Sequence, residues 1–157
     1  MSRPSVNRDF LDMVKALNRA EVEYLVVGAH AMAVHGVPRA TGDFDVWIRP
    51  GRDNGERVLN ALREFGAPVS DHGLTIEDLE RPDTVYQMGL PPRRIDLMTG
   101  ISGIEFEDAW TSRVIVEVEG ILVPVIGRSS LIKNKRAAGR TKDLVDLEIL
   151  DHDREPE

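Results

Sequence analysis

The sequence predicts a single α/β domain, α+β in its detailed order, with a mixed central β-sheet flanked by helices. Three observations point there. The chain has 157 residues, enough for one hydrophobic core and too few for two independent ones. Short apolar runs bounded by Gly, Pro or charged turns alternate with stretches whose apolar residues recur at helical spacing. Two pairs of runs, 84 to 89 with 93 to 98 and 113 to 118 with 121 to 125, are joined by turn residues as hairpins are, so antiparallel pairs stand beside the strand-helix units. The expected division is a domain over 1–150 and a charged tail over 151–157.

In chain order, Asn7 is placed to cap a first helix ending near Ala20, because Phe10, Leu11, Val14 and Leu17 fall on one helical face. YLVV (24–27) is a continuous apolar run, as in a strand buried on both faces, and Gly28 breaks it before a helix of small residues reaching Val34. Residues 43 to 48 alternate, with Asp43, Asp45 and Trp47 on one side and Phe44, Val46 and Ile48 on the other, predicting a strand with one apolar face. After Pro50-Gly51, Val58, Leu59, Leu62 and Phe65 predict a helix stopped by Gly66. A short helix is expected around Glu77, then the two hairpins, the second with Pro124 placing its return strand at a sheet edge. Helices over 129 to 138 and 142 to 150 complete the domain.

The composition excludes several classes. A net charge of −7 argues against a surface that grips nucleic acid in bulk, since that mode displaces counterions with Lys and Arg. With no cysteine there is neither a disulfide framework nor a thiolate metal site. The N-terminal residues lack a signal-peptide core, and residues 24 to 37, the longest mostly apolar segment, are too short to span a bilayer, so a cytoplasmic protein without a membrane partner is expected.

The chemistry is carried by DFDVWI (43–48) and RRIDLM (93–98). Side chains two apart on a strand share a face, with α-carbons roughly 6.5 to 7 Å apart, so Asp43 and Asp45 repel within one small volume. Asp also disfavours strands, and a divalent cation relieves both problems. Asp96 lies on the polar face of another half-apolar strand. Were the two strands neighbours, Asp43, Asp45 and Asp96 would form an all-oxygen site for Mg²⁺ or Mn²⁺, suited to in-line phosphoryl chemistry. An isolated D-x-D among 27 acidic residues is more often a solvated edge, and Arg94 can pair with Asp96 as a structural bridge. The glycine turn upstream tips the balance. Gly28 lets an anion approach the start of the following helix, although many such glycines serve steric ends alone. His30 either touches a phosphate or packs, while His35 reads as a helix end interacting with its last carbonyls. Five residues apart, the two are poorly placed to share a metal.

Together, the strand, the Gly28 turn and helix, GVPRATGDFDVWI (36–48) and the later Ile95-Asp96-Leu97 resemble the nucleotidyltransferases of the DNA polymerase β superfamily. The likeness runs from about residue 22 to 150 and is nearest to the minimal nucleotidyltransferases and the abortive-infection toxin–antitoxin group. It implies the nucleotidyltransferase fold, with a nucleoside monophosphate moved from a nucleoside triphosphate to a hydroxyl acceptor on a protein, an RNA or a small molecule, and pyrophosphate released. It further implies that Asp43 and Asp45 hold two Mg²⁺ ions and that Asp96 binds the ion activating the acceptor. Gly28, Ala29, His30, Arg39, Thr41, Lys133 and Lys135 are the implied nucleotide-binding set. Ala29 departs from the Gly or Ser usual there, keeping the backbone donor without a hydroxyl. Arg39 and GRTKDLVDL (139–147) match the family's arginine and its late Lys-Asp helix.

Lys133, Lys135, Arg136, Arg140 and Lys142 form a cationic cluster in an acidic chain, as a triphosphate site requires. Read on their own terms, Thr141 caps the last helix, Asp143 complements its dipole, and Lys142 with Asp146 makes a surface i, i+4 pair. Two outcomes follow. The intact carboxylates favour a magnesium-dependent enzyme, and Ala29 favours a catalytically inactive nucleotide- or partner-binding module of a toxin–antitoxin system. An antibiotic-modifying transferase is a third reading, though nothing selects a drug.

Overall fold

The computed structural model describes residues 7–38, 42–90 and 92–152. Helix α1 (Arg8–Arg19) starts where Asn7 accepts a hydrogen bond from the Asp9 amide at 2.9 Å, and it buries Phe10, Met13, Val14 and Leu17. Strand β1 (Tyr24–Val27) is buried throughout and passes directly into α2 (Gly28–Val34). Strand β2 (Asp43–Ile48) precedes α3 (Arg52–Phe65), which Gly66 ends in the left-handed conformation. Thr75 and Asp78 form a capping box at α4 (Ile76–Glu80). There follow β3 (Val85–Met88), β4 (Arg94–Met98), α5 (Phe106–Thr111), β5 (Val114–Val118), β6 (Ile121–Val125), α6 (Arg128–Ala138) and α7 (Thr141–His152).

The strands form one mixed sheet in the order β3-β4-β2-β1-β6-β5. Strands β1 and β2 pair antiparallel with Val27 opposite Asp45, while β2 and β4 pair in parallel with Asp45 opposite Asp96. Both faces of β2 are covered, because alternate side chains meet different helices. Phe44 stacks on Phe10 of α1 at 4.8 Å between ring centres, and Trp47 meets Phe106 of α5 edge-on at 5.0 Å. At the far end of the β1–β2 pair, buried Asn54 accepts from the Glu23 amide at 2.8 Å and donates to the carbonyls of Glu23 and Arg49. One amide thereby ties the entry of β1 to the exit of β2.

Three expectations need correction. β2 does not have a single apolar face: Trp47 is buried as well, because α5, which the sequence does not signal, covers that side. β6 is not an edge strand, since it lies between β1 and β5. Pro124 is tolerated there because β6 meets β1 only at its end, where Val26 pairs with Val125 and the Ile126 amide donates to the Val26 carbonyl. By alternation the missing Pro124 N–H would point toward β1 beyond that short pairing. Finally, α7 begins at Thr141 and continues to His152, with the Arg140 carbonyl accepting from the Leu144 amide, so Arg140 occupies the cap position expected of Thr141.

Candidate active site

Strand register brings the carboxylates together. Asp45 and Asp96 are direct partners across β2 and β4, and Asp43 pairs with Arg94 one step along the same face. Arg94 bridges the group, with Nε 3.3 Å from Asp43 Oδ1 and a terminal nitrogen 3.1 Å from Asp96 Oδ2. The other oxygen of buried Asp96, Oδ1, has no hydrogen-bond partner among the described residues. Burial, then the charges of Asp96 and Asp43, push the Asp45 carboxyl up to about 6, against the opposing pull of Arg94 and Lys142. Lys142, at the start of α7, is the weakest of these influences on Asp45.

Gly28 completes the corner. Its φ of +69° is left-handed, and a Cβ placed on it would lie 2.2 Å from Asp45 Oδ2. A side chain there is excluded twice, by backbone conformation and by the carboxylate itself. The β1–β2 register produces this contact, because Val27 opposite Asp45 sets the next residue along the chain against that side chain.

The other expected residues divide. Ala29 follows Gly28 on α2. His30 packs edge-on to Phe10 and Phe44, each at 5.2 Å, with burial holding its pKa below the ordinary value against a hydrogen bond to the Asp43 backbone. Its ring sits with Phe44, on the sheet face opposite Asp43 and Asp45, and its Nδ1 is buried with no hydrogen-bond partner among the described residues. His35 is the C-cap of α2, its amide donating to the Ala31 and Met32 carbonyls, and its Nε2 lies 2.7 Å from the Ile126 carbonyl oxygen. Arg39 and Thr41 lie outside the described residues. Lys133 is exposed on α6 and makes no ion pair among the described residues.

Lys135 has a different role from the one expected. It is buried, and its Nζ lies 3.2 Å from Asp143 Oδ1 and 2.9 Å from Asp146 Oδ2. The Asp146 carboxylate is therefore an internal partner of α6, not half of a surface pair with Lys142. Arg140 adds a 2.6 Å bond from Nε to Asp143 Oδ2, and its amide also donates to that oxygen. The misreading has a physical source. Helical spacing places Lys142 beside Asp146, whereas the packing of α6 on α7 is not contained in either helix alone.

Sequence reasoning pairs Arg94 with Asp96 alone and does not bring Lys142 to the carboxylates. For Arg94 a signal exists, since it shares a strand face with Asp96. The proximity of Lys142 depends on how α7 docks and carries no local signature.

Comparison with solved structures places this architecture. A candidate nucleotidyltransferase from Thermotoga maritima superimposes with a TM-score of 0.63 at 18% identity, covering 98% of this chain and 97% of the other. The chain has a nucleotidyltransferase fold. An antigenic nucleotidyltransferase-like protein from Paracoccidioides brasiliensis shares this nucleotidyltransferase fold at a TM-score of 0.52 and 13% identity, over 95% of this chain and 77% of that one. No family model and no curated protein matches the sequence. No helix among the described residues is long and apolar enough to cross a membrane.

Proposed function

We propose that the chain is a metal-dependent nucleotidyltransferase that moves a nucleoside monophosphate from a nucleoside triphosphate to a hydroxyl acceptor, with release of pyrophosphate. The observation that carries this reading is the corner where Gly28 admits Asp45 against the in-register Asp96. A carboxylate cluster that raises the pKa of one of its own members is unfavourable to stability alone, and such tension is a mark of working sites.

The donors fit a hard divalent cation such as Mg²⁺ or Mn²⁺. All are carboxylate oxygens, and Asp96 Oδ1 is buried without a partner among the described residues. Asp43, Asp45 and Asp96 are the residues that would hold it. When bound, such an ion supplies charge neutralisation for the phosphates and lowers the pKa of an acceptor hydroxyl. The chain's own groups do the rest. Gly28 makes room for the Asp45 carboxylate, and it and the Ala29 amide beside it are the proposed phosphate contacts at this turn. Lys142 supplies positive charge near Asp45, and Arg39 and Thr41 are the proposed further contacts to the nucleotide. Lys133 remains in the proposed set as an exposed cation on α6, whereas Lys135 is withdrawn from it by its internal ion pairs.

A second reading is favoured by one observation. Arg94 spans Asp43 and Asp96, and no group of three His, Asp or Glu side chains among the described residues is arranged to hold a metal. On this reading the chain is a non-catalytic nucleotide- or partner-binding module, as in a toxin–antitoxin pair, with Arg94 in permanent possession of the carboxylates.

Isothermal titration with each nucleoside triphosphate, with and without Mg²⁺ or Mn²⁺, separates the two. The enzyme reading expects binding that needs the metal, is lost in Asp43→Asn, and leads to pyrophosphate release with candidate hydroxyl acceptors. Binding indifferent to both metal and substitution supports the module and defeats the enzyme.

A further inference from the structure

β5 is the outer strand of the sheet, and its sequence VIVEV (114–118) has no Lys, no Pro and no bulge in its pairing with β6, with Glu117 its single charge. Its exposed side chains are one apolar and one acidic, Ile115 and Glu117. Ile115 is 52% exposed and Leu122, on the neighbouring strand, is 59% exposed. Backbone groups alternate in direction along a strand, and the Ile126 amide points to β1. The amides of Val123 and Val125 therefore face β5, leaving the N–H and C=O groups of Ile115 and Glu117 directed out of the sheet.

We propose that this edge pairs antiparallel with the same edge of a second copy of the chain, about a two-fold axis passing Ile115. The register follows from charge. Arg113, Ile115 and Glu117 alternate on one face, so a two-fold at Ile115 sets Ile115 against its own copy and each Arg113 against the other copy's Glu117. Val114 then meets Val116 on the opposite face. A two-fold at Glu117 would instead oppose two carboxylates. Arg113 is held at this surface by Trp110, its guanidinium 3.8 Å over the ring and Nη1 donating to the Trp110 carbonyl at 2.8 Å, with its other donors left for the incoming carboxylate. The pairing satisfies the open backbone groups, covers Ile115 and continues one sheet through both copies. It lies apart from the carboxylate corner and does not depend on the proposed function.

Sedimentation equilibrium over a micromolar concentration series tests this. Wild type is expected to be a dimer, Glu117→Arg to dimerise roughly tenfold more weakly or not at all, and the charge exchange Arg113→Glu with Glu117→Arg to recover it. Circular dichroism and melting curves report whether each variant is folded. Hydrogen exchange of wild type supplies the independent measurement, with the Ile115 and Glu117 amides expected to gain protection as concentration rises. A wild-type monomer throughout the series overturns the proposal, as does a dimer that Glu117→Arg leaves intact or edge amides whose exchange ignores concentration.

Discussion

Gly28 and Asp45 act as a pair, each shaped by the other. A methyl group at 28 would collide with Asp45 Oδ2 at 2.2 Å while holding φ at +69°, so Gly28→Ala is expected to lower stability by about 1–3 kcal/mol and displace the carboxylate. Thermal denaturation measures the first effect, and loss of metal-dependent nucleotide binding the second. Asp45 itself should be a liability to the fold. Its folded pKa of about 6 lies above the ordinary 3.8, so the native state binds the extra proton and stability falls as pH rises between these values. Asp45→Asn is therefore expected to stabilise the protein at pH 7, on the order of 1 kcal/mol, with the advantage fully present above about pH 6 and gone below about pH 4. Melting temperatures across pH 4–8 would show it. A variant less stable than wild type at pH 7 would mean that Arg94 and Lys142 more than compensate the burial.

The joint between α6 and α7 is held by ions inside the protein. Burial pushes the Asp143 carboxyl up, but hydrogen bonds from Arg140 and Lys135 overcome this and hold it at about 2. A folded pKa below the ordinary 3.8 stabilises the native state above that value, and the contribution is lost as pH falls from about 4 to about 2. Removing the shared cation is more severe. Lys135→Met leaves Asp146 and Asp143 short of a buried partner and is expected to cost about 3–5 kcal/mol, read by urea unfolding at pH 7, with the deficit diminishing in acid. An equally stable Lys135→Met would show that the remaining partners of the two carboxylates suffice. The same joint marks a limit of sequence reasoning at this scale. Thr141, Asp143 and Asp146 fit the rules for an isolated helix, and those rules send Asp146 to the surface. Tertiary packing buries it.

Across the whole molecule, β2 carries two of the three acidic residues and sits between β4 and β1, away from both edges. Hydrogen exchange should be slowest at Val26, Val46 and Leu97, opening only with global unfolding, and much faster at Val85 and Gln87, whose amides face outward on edge strand β3. Protection at Val85 equal to that at Val46 would contradict this ordering. The legibility of the site follows the same division between local and distant. Strand periodicity alone puts Asp43 and Asp45 on one face and Asp96 on the polar side of its strand. Their adjacency rests on parallel pairing across two intervening helices and a strand, which no local pattern encodes, and the resemblance to a known family supplies it in advance. The short helix α5 and the docking of α7 are invisible for the same reason: six residues give little periodicity, and docking has none. Asn54 shows where this matters in practice. It holds the opposite end of the β1–β2 pair, so loosening it would let Gly28 and Asp45 drift out of alignment. A mutational screen scored on activity alone would then return Asn54 beside the aspartates and invite a search for its chemistry, when its contribution is that of a ruler.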